Sequence, residues 1–178
     1  MEIAGKDEQL AFEVFRASPR AVVALSAAQI RSLLPCLHDW NSTDCFGCFV
    51  SGVAWREGRL SDRAIAAWTG DDNRWVRRAA LVSTVPLNLT ARGATAPDGE
   101  AGKTLGVCVR LIDDRDDMVV KALSWALRTL AGKDEGAVAG FIERHRDRLA
   151  PRVIRETTSK LTTGLKNPRT RKRSASTP

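Results

Sequence analysis

Asp44 stands where a surface carboxylate is out of the ordinary. On a helical reading its own face continues through Gly47, Cys48 and Ser51, all small, so a partner could approach the backbone closely there. A structural role is equally available. With Asn41 as N-cap, Asp44 is the third helical residue, where an acid is favoured by the helix dipole and can reach back to the cap, and Trp40 would be a staple onto the next turn. Trp125 poses the same kind of choice. Its helical neighbours are Met118, Lys121 and Arg128, which set a large aromatic between two cations. Either the cations snorkel over a rim tryptophan, or the ring is offered to a sugar or base beside phosphate-binding groups. Arg74, Arg77 and Arg78 form the third group, within Asp72-Asn73-Arg74-Trp75-Val76-Arg77-Arg78-Ala79-Ala80-Leu81. Such arginines are commonly solvated or paired with an acid such as Asp71 or Asp72; gathered on one surface they make a phosphate track.

Cys36, His38, Cys45 and Cys48 have the residue types of a zinc site. Their spacing is compressed, and the last two fall inside a helix, so packed thiols are the expectation and no metal or other cofactor is assigned. Cys45 and Cys48 also lack the strand context of a redox pair. The net charge is +7, but Lys166, Arg169, Arg171, Lys172 and Arg173 supply five of those charges at the C-terminal end. An anionic partner would therefore meet a local patch plus a basic tail, not a uniformly basic body. The sequence shows no membrane span and no secretory leader, and four cysteines without a leader fit reduced thiols, so a cytoplasmic protein is expected.

The elements that must position these residues are helices. Shifting the chain by 43 residues lays Asp117-Met118-Val119-Val120-Lys121-Ala122-Leu123 over Arg74 to Ala80, and a weaker echo at 35 residues lays Trp40 over Trp75. Such intervals suit helical pairs stacked as a HEAT-like repeat solenoid. Periodicity and breakers predict helices over Asp7–Ala17, from Ser26 to about Pro35, from Asn41 or Ser42 to about Trp55, from Ser61-Asp62 to Trp68, and around Trp75 as far as Pro86. Further helices are expected over Lys103–Ile112, Asp116–Ala131, Asp134–Arg146 and Pro151–Leu165. A polar loop spans Asn88 to Glu100, and no strand pair emerges. The expectation is one all-α, HEAT-like domain over 1–165 and a disordered basic tail over 166–178.

Trp40-x-x-x-Asp44, the Asp72–Leu81 stretch and Lys121-Ala122-Leu123-Ser124-Trp125-Ala126-Leu127-Arg128, in this order and at these intervals, resemble the DNA alkylation repair family, the HEAT-like repeat alkylpurine DNA glycosylases. The similarity runs from about Asp7 to Leu161, and it implies that part of the family's N-terminal helical region is lacking. It further implies a curved solenoid gripping duplex DNA. Trp40 and Trp125 would match the two tryptophans that pack against the lesion deoxyribose, and Asp44 the carboxylate that supports cleavage of the glycosidic bond. Arg78 and Arg128 would match basic positions at the DNA backbone, with Lys121 and Arg74 as further DNA-binding candidates. Unlike glycosylases that extrude their target, members of this family can act without drawing the base into a pocket. The implied protein is a monomeric, monofunctional hydrolase at the nucleoid, releasing cationic N3- and N7-alkylated purines from duplex DNA. The competing reading is a non-catalytic HEAT-like module that binds DNA or scaffolds proteins.

Overall fold

A computed structural model describes residues 23–89 and 100–167. Among the described residues the regular structure is entirely helical. Helix α1 (Ala27–Ser32) opens on a Ser26 capping box closed by Gln29 and gives way to a 3-10 turn, Leu34–Cys36, that contains Pro35. Helix α2 runs continuously through three segments, Trp40–Cys45, Phe46–Ser51 and Gly52–Arg56, the middle one wound as a π-helix. Then follow α3 (Asp62–Trp68), α4 (Arg74–Val82), the short α5 (Val85–Asn88), α6 (Glu100–Arg110), α7 (Asp117–Ala131), α8 (Glu135–Arg144) and α9 (Pro151–Thr163). The expected helix at Asp7–Ala17, most of the Asn88–Glu100 loop and nearly all of the basic tail lie outside the described residues.

Two layers result. Helices α2, α4, α7 and α9 lie side by side, each packed on the next. Behind them, α3 packs on α4 and α6, α6 on α7, and α8 on α7 and α9. The four front helices run in the same direction, because bonds join equivalent ends: Ser51 to Ser83, Arg74 to Asp116, and Arg152 to Asp117. Asp39, Asn73 and Asp116 cap the first three, and Ala150 precedes Pro151 in the fourth. These caps stand 34, 43 and 34 residues apart. The 43-residue repeat is therefore correct, while the upstream echo is 34 residues and not 35. The shift by one replaces the Trp40–Trp75 match with Trp40 over Arg74, and it places Asp44, Arg78, Lys121 and Arg155 each as the fifth residue of its helix.

The core is the stripe the heptad-like spacing predicts in α7, where Val119, Leu123, Ala126, Leu127 and Leu130 are all buried, joined by Phe46, Val50 and Trp55 from α2. Phe49, which i, i+3 spacing from Phe46 would put on the apolar face of α2, is exposed, since the π turn carries about one residue more per turn and breaks that pattern. Pro86 does not end α4, which stops at Val82. It sits in the first turn of α5, where its missing N–H has no intrahelical partner to lose. The strip of small residues along α2, read from sequence as an approach for an outside partner, is filled by α4. A Cβ on Gly47 would lie 2.6 Å from Val82, and one on Gly52 would lie 2.6 Å from the carbonyl oxygens of both Gly47 and Ser83.

That close approach yields a paired prediction. Gly52→Ala forces backbone apart and should cost about 1–3 kcal/mol, whereas Gly140→Ala in α8, where an added methyl meets nothing within 4 Å, should stabilise by roughly 0.5–1 kcal/mol through helix propensity. Chemical denaturation of the two variants checks the contrast; equal effects would mean α2 and α4 are not this close.

Candidate active site and cationic face

Asp44 and Arg78 occupy the same position in neighbouring parallel helices, and they meet. Arg78 Nε donates to Asp44 Oδ1 and Nη2 to Oδ2, both at 2.8 Å, while Nη1 donates to the Met118 carbonyl of α7 at 2.5 Å. Arg78 is only 6% exposed. The resemblance places it against the DNA backbone; here its donors are taken up within the protein, as a guanidinium this deep requires, and Asp44 supplies two of the acceptors. Nor does Asp44 serve the capping role open to it in sequence. The helix begins one residue earlier than Asn41, at Trp40, and Asp39 accepts the Ser42 N–H at 2.8 Å. Burial pushes the Asp44 carboxyl above its ordinary range, the Arg78 hydrogen bonds and charge pull it back, and Asp39 adds a smaller upward push.

Trp40 is 58% exposed at the first position of α2, one turn before Asp44, so it is not a staple sealed into the fold. It shares the Asp44 face. Its ring is open to a partner.

Trp125 lies half-buried between two hollows. One, of about 410 Å³, is walled by Arg78, Lys121, Trp125, Arg128 and Lys166. The other, about 440 Å³, has Trp125, Arg128 and Lys166 in common with it and extends to Asn88, Leu89 and Lys133. Arg78 thus lines the first hollow although its donors are committed to protein acceptors. The expected grouping of an aromatic with cations is present, with Lys121 and Arg128 flanking the ring. Lys121 is paired with Asp117 at 2.6 Å, and Arg74 with Asp116 at 3.3 Å while lying 4.8 Å over the Trp75 ring. Both pairs involve well-exposed cations, so each is weakly held, about 0–1 kcal/mol, and open to exchange for a phosphate. Arg77, by contrast, donates to Asp114 and to the Asp71 and Asp72 carbonyls, which ties the loops ahead of α4 and α7 together.

Sequence reasoning missed two groups here. Glu156, buried in α9, accepts from the Ser124 hydroxyl at 2.8 Å and lies 3.8 Å from Arg128. Lys166, assigned from sequence to the tail, lies 3.5 Å from the same carboxylate and walls both hollows. The signal available was the repeat itself: Glu156 is an acid inside the buried stripe of the last helix. Burial lowers the Arg128 pKa and Glu156 opposes that shift.

Among the described residues no three His, Cys, Asp or Glu side chains gather as they would around a metal ion. Cys48 is pushed up to about 12, by burial first and the Asp44 charge second, and burial pushes Cys108 to about 12 as well. Both thiols are unreactive packing groups at neutral pH.

Removing Arg78 should expose how much depends on it. Arg78→Ala strands a largely buried carboxylate and removes the link to the Met118 carbonyl, and is expected to lower stability by roughly 3 kcal/mol. Arg78→Lys keeps the charge but cannot form the two-pronged contact, and should recover only part of that loss. Urea unfolding curves measure both; an unchanged midpoint for Arg78→Ala would refute the structural role.

Comparisons with curated proteins and with solved structures gave no significant match. A family model described as DNA alkylation repair enzyme matches residues 7–161, which includes Trp40, Asp44, Arg78, Trp125 and Arg128. With most of its length matched, the chain belongs to the DNA alkylation repair enzyme family, and its role lies in the repair of alkylated DNA.

Proposed function

We propose that this protein is a DNA glycosylase that hydrolyses the N-glycosidic bond of purines carrying an alkyl group at N3 or N7 in duplex DNA. One observation carries the reading. A carboxylate held in one orientation by a buried arginine sits one helical turn from an exposed tryptophan, and the same arginine lines a hollow walled by Trp125 and cations.

The chemistry asks for little more. An N3- or N7-alkylated purine is already positively charged, so it departs without the general acid that ordinary glycoside hydrolysis needs. The C1′–N bond breaks with its electron pair going to the purine, which leaves neutral. Positive charge passes to the sugar, and a water oxygen bonds to C1′ and gives up a proton. Trp40 and Trp125 are assigned to the lesion sugar. Lys121, Arg128 and Arg74 are assigned to the phosphates, an electrostatic contact without sequence preference. Arg78 acts through Asp44, fixing its rotamer and keeping it ionised against the cost of burial.

Arg78 also limits what Asp44 contributes. A carboxylate about 4 Å from the sugar cation, at an effective dielectric near 20, is worth about 4 kcal/mol. The guanidinium behind it, at roughly 8 Å, takes back about 2 kcal/mol. The remaining 2 kcal/mol or so is a ceiling of about thirty-fold in rate, since whatever part of it the cationic purine already feels in the bound substrate does not count. Since each Asp44 oxygen accepts one Arg78 donor and keeps a second acceptor position, the carboxylate can also orient the attacking water and take its proton, a role commonly worth 10²–10⁴-fold.

Release of 7-methylguanine and 3-methyladenine from methylated duplex tests the assignment. Asp44→Asn, which can still accept one Arg78 hydrogen bond but turns an NH2 toward the other donor, should lose some stability, stay folded by urea unfolding, and lose about thirty-fold or more in rate; a wild-type rate would end the proposal. No release from either protein with duplex binding intact would favour a non-catalytic DNA-binding module instead.

The rate should also carry a pH signature. Because Asp44 must be ionised and burial raises its pKa, excision should fall as the pH drops through that raised value, at a higher pH than for an ordinary aspartate. The limb should be absent from the residual activity of Asp44→Asn. A rate flat down to the usual aspartate range would refute either the raised pKa or the need for an ionised Asp44.

A further inference from the structure

Arg78 in α4 and Arg128 in α7 both line the same hollow, and each is backed by a carboxylate from the next helix outward, Asp44 in α2 and Glu156 in α9. The two pairs differ in one respect that matters for binding. Asp44 takes Arg78 on two prongs and leaves it no donor pair to offer. Glu156 stands off from Arg128 at 3.8 Å, and the link runs through Ser124, whose hydroxyl donates to Glu156 Oε2 at 2.8 Å and accepts from Arg128 Nε at 3.3 Å. Only the Nε edge of the guanidinium is thereby occupied. Among the described residues the Arg128 Nη groups form no hydrogen bond, and they belong to a side chain that walls both hollows.

Glu156 is 5% exposed, and a carboxylate at that depth costs free energy unless its charge is used. Three cations surround it: Lys166 at 3.5 Å, Arg128 at 3.8 Å and Arg155 at 4.0 Å. One acid against three bases leaves the cluster positive. The other lysines near the second hollow are already committed, Lys133 to the Leu87 carbonyl and Glu100, and Lys160 to the Gly164 carbonyl. Arg128 and Lys166 are therefore the cations of this wall with capacity for an incoming anion.

We propose that Glu156 is a positioning residue for DNA: acting through Ser124, it fixes the Nε edge of Arg128 so that the Nη pair faces a backbone phosphate. The phosphodiester is the ligand, received two-pronged by Arg128 with Lys166 as a second point of charge. The inference rests on the duplex-DNA reading above and extends it, since it recruits the C-terminal end of the described chain into the interface.

The sign of one mutation separates positioning from plain charge. Deleting a negative charge beside a DNA-binding wall should tighten binding if charge alone matters. If Glu156 orients Arg128, Glu156→Gln should weaken binding of unmodified duplex by about ten-fold, the cost of losing one well-formed charge-assisted contact. In an Arg128→Ala background it should have no further effect. The test uses the full chain and unmodified duplex at several salt concentrations. Weaker binding that vanishes in the Arg128→Ala background supports the proposal. Binding by Glu156→Gln as tight as or tighter than wild type overturns it, as does an equal loss in both backgrounds. Should Glu156→Gln not fold, Ser124→Ala cuts the same relay without altering charge, and an unchanged affinity there overturns the proposal equally. Alkylpurine release by the wild type is scored separately. Release together with tight binding by Glu156→Gln removes this inference alone, weakened binding without any release removes the glycosylase assignment alone, and no duplex binding by the wild type at low salt removes both.

Discussion

An arginine stays charged wherever it is put, so the burial of Arg78 constrains everything around it. Its donors are met from both neighbours, by the Asp44 carboxylate of α2 and the Met118 carbonyl of α7. Three of the four front helices are thereby fixed in register at one side chain. That register requires α2 and α4 to lie close, which Gly47 and Gly52 permit by having no Cβ where Val82 and the Ser83 carbonyl stand. The π turn at Phe46–Ser51 belongs to the same arrangement: Ser51 donates to the Phe46 carbonyl five residues back and meets Ser83 at 2.7 Å across the interface. A residue inserted into a helix immediately after the candidate catalytic carboxylate is the kind of local irregularity that often accompanies function. Here it also has a packing partner.

The all-helical class was legible in the sequence because breakers and apolar stripes agree for most segments. The α7 stripe from Val119 to Leu130 and the cap at Asp116 follow directly from spacing and residue type. What misled was register. Two tryptophans, Trp40 and Trp75, invited alignment on each other, whereas the caps at Asp39 and Asn73 set the true offset one residue shorter. With the caps aligned, Asp44 and Arg78 fall on the same position of adjacent helices, and their ion pair could have been read from sequence. The small residues beside Asp44 misled differently. A glycine strip signals close approach, but pattern alone does not say whether the approaching surface is a ligand or the next helix. Glu156 could be flagged as an acid inside the buried stripe of α9, but its partners, and Lys166 altogether, were out of reach because they depend on a three-dimensional meeting of α7, α9 and the segment after it.

The Asp44–Arg78 pair narrows the chemistry more than a lone carboxylate would. Glycosidic cleavage of an alkylated purine creates no new charge; it moves one positive charge from the purine ring to the sugar. A field equal at both places lowers bound substrate and transition state alike and leaves the rate unchanged, so only the difference between the two positions counts. In the proposed reaction, cations spread over the face, such as Lys121 and Arg128, would therefore serve binding far more than the chemical step. Asp44 can favour the transfer only by lying nearer the sugar than the base, and Arg78 behind it steepens that dependence on distance, because a dipole falls off faster than a charge. Orientation becomes the quantity that decides, and it is what the two hydrogen bonds at 2.8 Å supply. A carboxylate so aimed, with an acceptor position left on each oxygen for water, gains more from placing the nucleophile than from its charge.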